Sequence, residues 1–145
     1  MHVRVYLHMC EKREEERALL DSGATENFMH LSYARRLKYP VHELSEPRLL
    51  YNVDRTINKA GEIRWYTDVK VQTGMQHTWM RFFLSDLGNN KIILGYPWFS
   101  VVQPNIDWRW AWIDISHLPI IIRAKDAAKA RFLPCRSPTV PSNPV

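Results

Sequence analysis

Residues 18–25 read Ala-Leu-Leu-Asp-Ser-Gly-Ala-Thr, and the interpretation of the whole chain depends on this stretch. The apolar residues before Asp21 are typical of a buried strand, and Gly23 allows a sharp turn directly after it. Such a strand would deliver the Asp21 carboxylate to the bottom of a cleft. Because an unpaired buried charge is costly, the sequence predicts that Asp21 has a partner at a functional site, and a second copy of itself is the simplest partner.

Three further motifs accompany this stretch. An apolar run that ends in glycine stands at 92–95, and Gly-Tyr-Pro-Trp-Phe at 95–99 leads on to Pro-Asn-Ile-Asp-Trp at 104–108. Residues 24–29 and 34–37 are typical of a strand that leads into a short helix. Together with Leu-Asp-Ser-Gly-Ala-Thr-Glu-Asn-Phe at 20–28, these motifs resemble the proteases of gypsy-type LTR retrotransposons and their retroviral relatives. The resemblance covers roughly residues 3–115.

The resemblance implies a fold and an activity. The fold would be all-β, a retropepsin-like closed barrel with one or two short helices, which is the acid-protease fold with one lobe per chain. Asp21 would be the catalytic residue of an aspartic endopeptidase that processes a retrotransposon polyprotein without metal or cofactor. A chain of 145 residues is too short for two lobes and holds no second Asp-Ser/Thr-Gly triplet. The resemblance therefore implies a homodimer with one Asp21 per subunit.

Two segments would contact a peptide substrate in such an enzyme. The first is the loop after Asp21, and the second is a turn between extended segments at 49–51 and 57–63, which resembles by position the flap that covers the substrate. The residues assigned to substrate binding are Ser22, Gly23, Ala24, Asn52, Val53 and Asp54. Related sequences often carry glycine near the flap tip, where this chain has Arg55. A plain surface hairpin is the alternative interpretation of this segment.

The composition limits the other function classes. The net charge is +5, but Lys and Arg are scattered and only the C-terminal part is biased to basic residues, so we expect a solvated surface rather than a specific nucleic-acid site. Cys10 and Cys135 do not indicate a disulfide framework or a zinc site, and His30 and His42 lack Glu or Cys at ligand spacing. Without a signal peptide or a membrane-length apolar run, we expect no membrane association and a cytoplasmic location, or one inside virus-like particles.

Local patterns predict several elements. Residues 3–7 alternate as a half-buried strand, 11–16 would be an exposed turn, and a second strand would run from Arg17 to Leu20. Ser32 is the predicted N-cap of a helix through Leu37, and Pro97 is expected at the start of a helix over 98–102. We expect residues 1–122 to form the protease domain, and the basic, Pro-rich residues 123–145 to form a tail or linker.

Trp108, Trp110 and Trp112 are spaced by two and would share one face of a strand. We interpret them as core or dimer-facing residues, although a base-stacking platform has the same spacing. Two alternatives to a protease remain open at this point. One is a non-catalytic retropepsin-like module for dimerisation or peptide binding. The other is a basic nucleic-acid-binding domain of a retroelement polyprotein.

Overall fold

The computed structural model describes residues 1–51, 54–110 and 112–115 of the chain. The strands are β1 (His2–His8), β2 (Arg13–Leu20), β3 (Asn27–His30), β4 (His42–Tyr51), β5 (Ile57–Thr73), β6 (Gln76–Ser85), β7 (Ile92–Leu94), β8 (Asn105–Asp107) and β9 (Trp112–Asp114), and the helices are α1 (Leu31–Arg36) and α2 (Tyr96–Val102). Within these residues no helix has the length and apolar character needed to span a membrane. The predicted mostly-β fold with two short helices is confirmed.

Six strands form the predicted closed barrel. Their order is β1-β2-β7-β3-β6-β5, and three residue pairs between β1 and β5, from Tyr6–Gln72 to His8–Lys70, close the ring. β4 lies outside the ring, and among the described residues it pairs only with β5. Alternating residues of the strands fill the interior, because successive side chains of a strand point to opposite faces. The fully buried interior residues include Val5, Leu7, Ala18, Met29, Val69, Val71, Phe82 and Leu94.

The turn predicted for residues 11–16 is partly wrong, because β2 begins at Arg13 and pairs with β1 along its whole length. The charged residues of this segment fit a strand because opposite charges and rings stand on β1 to receive them. Glu15 contacts Arg4 at 2.7 Å, and the Arg13 guanidinium lies 4.2 Å from the centre of the Tyr6 ring. A run of charged residues is therefore not sufficient to predict a loop in this segment, because charged residues on paired strands can contact one another.

The extended segment predicted at 57–63 is the first part of a longer strand, β5, which pairs with both β4 and β6. The β4–β5 pairing is irregular between Leu49 and Tyr51, opposite Gly61, whose φ of 71° suits a residue without a side chain. The predicted hairpin is therefore present. Its tip contains Arg55, with a φ of 67° in the left-handed region.

The two helices begin close to the predicted positions. α1 is capped by His30 rather than by Ser32, since the His30 ring accepts a hydrogen bond from the Ser32 amide at 3.2 Å. The sequence rules favour Ser, Thr, Asp or Asn as N-caps, and a histidine in this role was not expected. α2 has Pro97 in its first turn, and its Trp98 is fully buried. The Trp98 Nε1 donates a hydrogen bond to Thr73 Oγ1 at 3.2 Å, which ties α2 to the end of β5.

The tryptophans near the C-terminal end of the described chain are not core residues. Trp108 and Trp110 lie in the turn between β8 and β9, and only Trp112 belongs to a strand. Each of the three is more than half exposed. Spacing by two places residues on one face only within a continuous strand, and the turn interrupts that strand. Residues 116–145, which include the predicted tail, lie outside the described residues.

One buried side chain joins β3 to the end of β7. Asn27 is fully buried, and its Oδ1 accepts a hydrogen bond from the Gly95 amide at 2.8 Å. Its Nδ2 lies 3.5 Å from the Met80 sulfur on β6. Asn27 thus satisfies a backbone donor at a point where three strands of the barrel meet, so it matters for the placement of the residues that follow β2 and β7.

We predict that Asn27→Ala lowers the free energy of unfolding by about 1–3 kcal/mol, because the buried Gly95 amide would lose its acceptor. Urea unfolding at one fixed protein concentration measures the change. Asn89→Ala is the matched control, since Asn89 is exposed in the loop between β6 and β7 and should change stability by less than about 0.5 kcal/mol. Equal stability of the two variants would contradict the role given to Asn27.

We also predict that Arg55→Gly stabilises the chain by up to about 1 kcal/mol. The left-handed conformation costs a residue with a side chain about 1–2 kcal/mol, and glycine avoids this cost. Glycine also has more conformational freedom in the unfolded chain, which offsets about 0.5–1 kcal/mol of the stabilisation. Arg55→Ala removes the charge but keeps the strain, so it should leave stability nearly unchanged. If both variants shift the unfolding midpoint equally, backbone strain at Arg55 is not the cause.

Candidate active site

The candidate site is the turn that follows β2. Asp21 continues the parallel pairing of β2 with β7, because its amide donates to the Leu94 carbonyl at 3.0 Å. The Asp21 carbonyl then accepts from the Ala24 amide at 3.1 Å, which closes a four-residue turn. Within that turn the Gly23 amide donates to Asp21 Oδ1 at 3.0 Å. The backbone therefore fixes both the position of Asp21 and the orientation of its carboxylate.

Two glycines allow this geometry. A Cβ on Gly95 would stand 2.2 Å from the Glu26 carbonyl oxygen and 2.7 Å from that of Ala24, so only glycine fits there. The adjacent Tyr96 amide donates to the Ala24 carbonyl at 2.8 Å, which joins the start of α2 to the end of the Asp21 turn. A Cβ on Gly23 would stand 3.3 Å from Asp21 Oδ1 and would press on the carboxylate.

The site is open in a single chain. Asp21, Ser22 and Gly23 are all exposed, and Leu19 and Leu20 before them are only half-buried. The predicted cleft, with a second Asp21 as the partner, therefore stays a prediction, and in a single chain the Asp21 carboxylate is uncovered. The reason is the position of the turn at the rim of the barrel, where β2 ends and no further element of the described residues covers the carboxylate. Burial of Asp21 would have to come from another molecule.

A polar contact links the segment after the turn to the β4–β5 hairpin. Glu26 approaches Arg48 of β4 at 3.8 Å, and the Arg48 guanidinium lies 4.8 Å from the centre of the Phe83 ring on β6. Arg48 is thus held between an exposed carboxylate and a buried aromatic ring. This arrangement places the base of the hairpin beside the strand that begins just after the candidate site.

The structure brings together only part of the predicted substrate-binding set. Ser22, Gly23 and Ala24 lie with Asp21 in one turn. Asp54 lies at the hairpin tip, where its Oδ1 accepts hydrogen bonds from the Thr56 hydroxyl at 2.6 Å and the Thr56 amide at 3.0 Å. These two bonds hold the pKa of Asp54 below its ordinary value. Asn52 and Val53 lie outside the described residues, so their assignment stays a prediction.

The residues that hold the turn in place were not predicted from the sequence. Asn27 and Gly95 stood inside the quoted motifs but received no role. The available signals were a polar residue at an inward position of an apolar strand, and a glycine directly after the apolar run at 92–94. Both patterns are typical of buried hydrogen bonding and close backbone approach.

The histidines near the site have local structural roles. The His30 Nε2 lies 3.2 Å from Asp86, and the His42 ring packs against the Tyr66 ring with 5.2 Å between centres. Among the described residues, no three side chains of His, Cys, Asp or Glu are grouped where they could hold a metal ion.

Comparison with known proteins identifies the fold and the family. Residues 17–117 match the family described as PEG10/RTL1 protease domain. The structure is similar to that of EIAV protease complexed with the inhibitor HBY-793, with a TM-score of 0.54 and 18% identity over 74% of this chain and 91% of that chain. The retroviral protease-like domain of Ddi1 from Leishmania major gives a TM-score of 0.49 and 17% identity over 80% of this chain and 88% of that chain.

At 18% identity the likeness to EIAV protease shows the fold alone, which is the predicted retropepsin-like fold. A place in a gypsy Gag-Pol polyprotein stays a prediction. The family match extends over both the Asp-Ser-Gly turn and the segment from Gly95 to Trp108, which are the motifs that the hydrogen bonds around Asn27 and Gly95 bring together. The chain therefore belongs to the family of PEG10/RTL1 protease domains.

Proposed function

We propose that the chain is an aspartic endopeptidase that acts as a homodimer, with one Asp21 from each subunit. The observation that carries the proposal is the backbone geometry at Asp21. The Leu94 carbonyl and the Gly23 amide hold this residue at the barrel rim, and its carboxylate remains exposed. A carboxylate that hydrogen bonds hold in one orientation, but that solvent still reaches, suits a site that a second subunit completes.

The chemistry follows from two carboxylates that lie close together across a two-fold axis. Like charges at such a distance do not both ionise readily, so the pair shares one proton. The ionised Asp21 takes a proton from a bound water molecule, whose oxygen attacks the scissile carbonyl carbon. The protonated Asp21 donates to the carbonyl oxygen, and a proton then passes to the leaving amine as the C–N bond breaks.

The remaining parts of the site would position the substrate. The exposed backbone at Ser22 and Gly23 is accessible to an extended peptide, and the hairpin with Asp54 at its tip would close over it and exclude water. The substrate class we propose is a polyprotein segment in extended conformation, because an extended chain presents its backbone groups to both the turn and the hairpin.

A non-catalytic module for dimerisation or peptide binding is the second candidate. The observation that favours it is Arg55, which occupies a left-handed position at the hairpin tip where glycine is the unstrained residue. A strained tip makes closure of the hairpin over a substrate less favourable. Such a module would use the same fold and the same dimer, so only a measurement of cleavage separates the two candidates.

We predict that Asp21→Asn abolishes peptide cleavage while the fold stays intact. The amide keeps an oxygen for the Gly23 hydrogen bond but cannot take a proton from water. Cleavage of a mixed peptide library at mildly acidic pH, read by mass spectrometry beside far-UV circular dichroism, measures both properties. HBY-793, the inhibitor bound to EIAV protease, serves as a chemical control that should also suppress cleavage.

The matched variant is Asp86→Asn, because Asp86 is another exposed aspartate whose carboxylate accepts from a backbone amide two residues later. It should cleave like the unmodified chain. Cleavage that survives Asp21→Asn would exclude the proposed mechanism. A folded, dimeric chain that cleaves nothing at high concentration would favour the non-catalytic module.

We further predict that Asp21→Asn chains suppress the activity of unmodified chains. When the two are unfolded together and refolded at nine variant chains per unmodified chain, only about one in ten unmodified chains finds an unmodified partner, so activity per unmodified chain should fall to about one tenth. The same excess of Asp86→Asn chains should cause no such loss. Activity that stays proportional to the number of unmodified chains would show that one chain suffices.

A further inference from the structure

The hairpin formed by β8 and β9 exposes an unusual amount of aromatic surface. Trp108, Trp110 and Trp112 are 67%, 75% and 61% exposed, and Tyr96 in the preceding helix is 65% exposed. The two strands form a sheet of their own, separate from the barrel sheet of the described residues. Scattered exposed apolar residues are ordinary, but three large aromatic residues within five positions form a patch of the kind that marks an interaction site.

This hairpin lies at the same end of the barrel as Asp21. β1 and β2 are antiparallel, and the Leu20 amide donates to the Met1 carbonyl, so the start of β1 lies beside the end of β2. β5 is antiparallel to β1, and after Gln72 it continues toward the start of β1. The turn around Gly74 is therefore at the Asp21 end of the barrel.

Two contacts attach the C-terminal elements to that end. Ile115 directly follows β9, and its side chain packs against Gly74. A Cβ added at Gly74 would stand 2.7 Å from Ile115 Cδ1. At the other end of the segment, the Tyr96 amide donates to the Ala24 carbonyl of the candidate site. After β7 the chain thus passes beside the Asp21 turn at the start of α2, forms the tryptophan hairpin, and returns to the same rim of the barrel.

The charge of the hairpin does not suit a phosphate-bearing partner. Arg109 is its one basic residue, whereas Asp107 and Asp114 are both acidic. Asp107 accepts hydrogen bonds from the amides of Arg109 and Trp110, so its carboxylate stands within the turn itself. Residues 1–115 carry 15 basic and 14 acidic side chains, so two copies of this part of the chain would not repel each other strongly.

We propose that the tryptophan hairpin is the surface through which a second copy of this chain docks to complete the site at Asp21. This inference rests on the proposed function and deepens it by assigning the subunit interface. In a two-fold dimer each hairpin would pack against the same patch of its partner. The six tryptophans of two hairpins would bury roughly 1,000 Å², and stable interfaces bury about 1,200–2,000 Å² in total, so the hairpins would supply most of the area required.

The test compares dimerisation of the full chain with that of a Trp110→Ser/Trp112→Ser double variant by sedimentation equilibrium. Both residues are exposed in the single chain, so the variant should keep its circular dichroism spectrum and its fold. Loss of two central aromatic residues should raise the dimer dissociation constant by at least about 100-fold. Leu49→Ser is the control, because Leu49 is an exposed apolar residue on β4, outside the barrel ring, and should leave the constant unchanged.

Cleavage by the double variant gives a second readout. Its activity per chain should be low at concentrations where the unmodified chain is dimeric, and should recover as its concentration is raised. A dissociation constant equal to that of the unmodified chain would overturn the assignment of the interface. The hairpin would be reassigned to nucleic-acid binding by two results together. The dimer dissociation constant of the variant would be unchanged, and a single-stranded oligonucleotide would quench tryptophan fluorescence in the unmodified chain but not in the variant.

Sedimentation and cleavage separate this inference from the proposed function. An unmodified chain that forms dimers through the hairpin but cleaves no peptide would refute the protease and leave the interface standing. An unmodified chain that cleaves peptides while the double variant dimerises normally would refute the interface alone.

Discussion

The close approach of Gly95 to the backbone of residues 24–26 is the constraint on which the candidate site depends. At this point the chain leaving β7 passes so near the Ala24 and Glu26 carbonyls that no side chain fits. The same passage brings the Gly95 amide to Asn27 and the Tyr96 amide to Ala24. Because backbone donors at such a crossing must be satisfied, these two hydrogen bonds hold together two segments that are far apart in sequence. The turn with Asp21 lies directly beside this junction.

This junction orients Asp21 but does not cover it. The Leu94 carbonyl and the Ala24 amide fix the backbone of Asp21, and the Gly23 amide orients its carboxylate at the barrel rim. If the same end of the barrel binds a second copy of the chain about a two-fold axis, the two copies of one carboxylate form a two-carboxylate site by symmetry. The exposed tryptophans at this end of the barrel are the apolar surface that such binding would need. Binding of a second subunit at this end of the barrel would account for both the exposed Asp21 and the exposed tryptophans.

The sequence was informative where a structure depends on neighbouring residues. Pro97 indicated the start of α2, and Asp-Ser-Gly indicated the turn after β2. It was less informative where partners come from distant parts of the chain. Arg13 to Glu16 form a strand because β1 supplies Arg4 and Tyr6 opposite them, and no local rule contains that information. The cap at His30 and the acceptor at Asn27 were also missed, because both depend on contacts made in three dimensions.

The attachment of the β4–β5 hairpin suits a segment that must open and close. Within the described part of the chain, β4 pairs only with β5, and Arg48 of β4 approaches Glu26 beside the candidate site at 3.8 Å. Their side chains are 58% and 39% exposed, so water screens the pair and its contribution to stability is about 0–1 kcal/mol. The Phe83 ring beneath Arg48 is buried and fixes where the guanidinium lies. These contacts therefore define one position of the hairpin but hold it only weakly, so the proposed lid could move at little energetic cost.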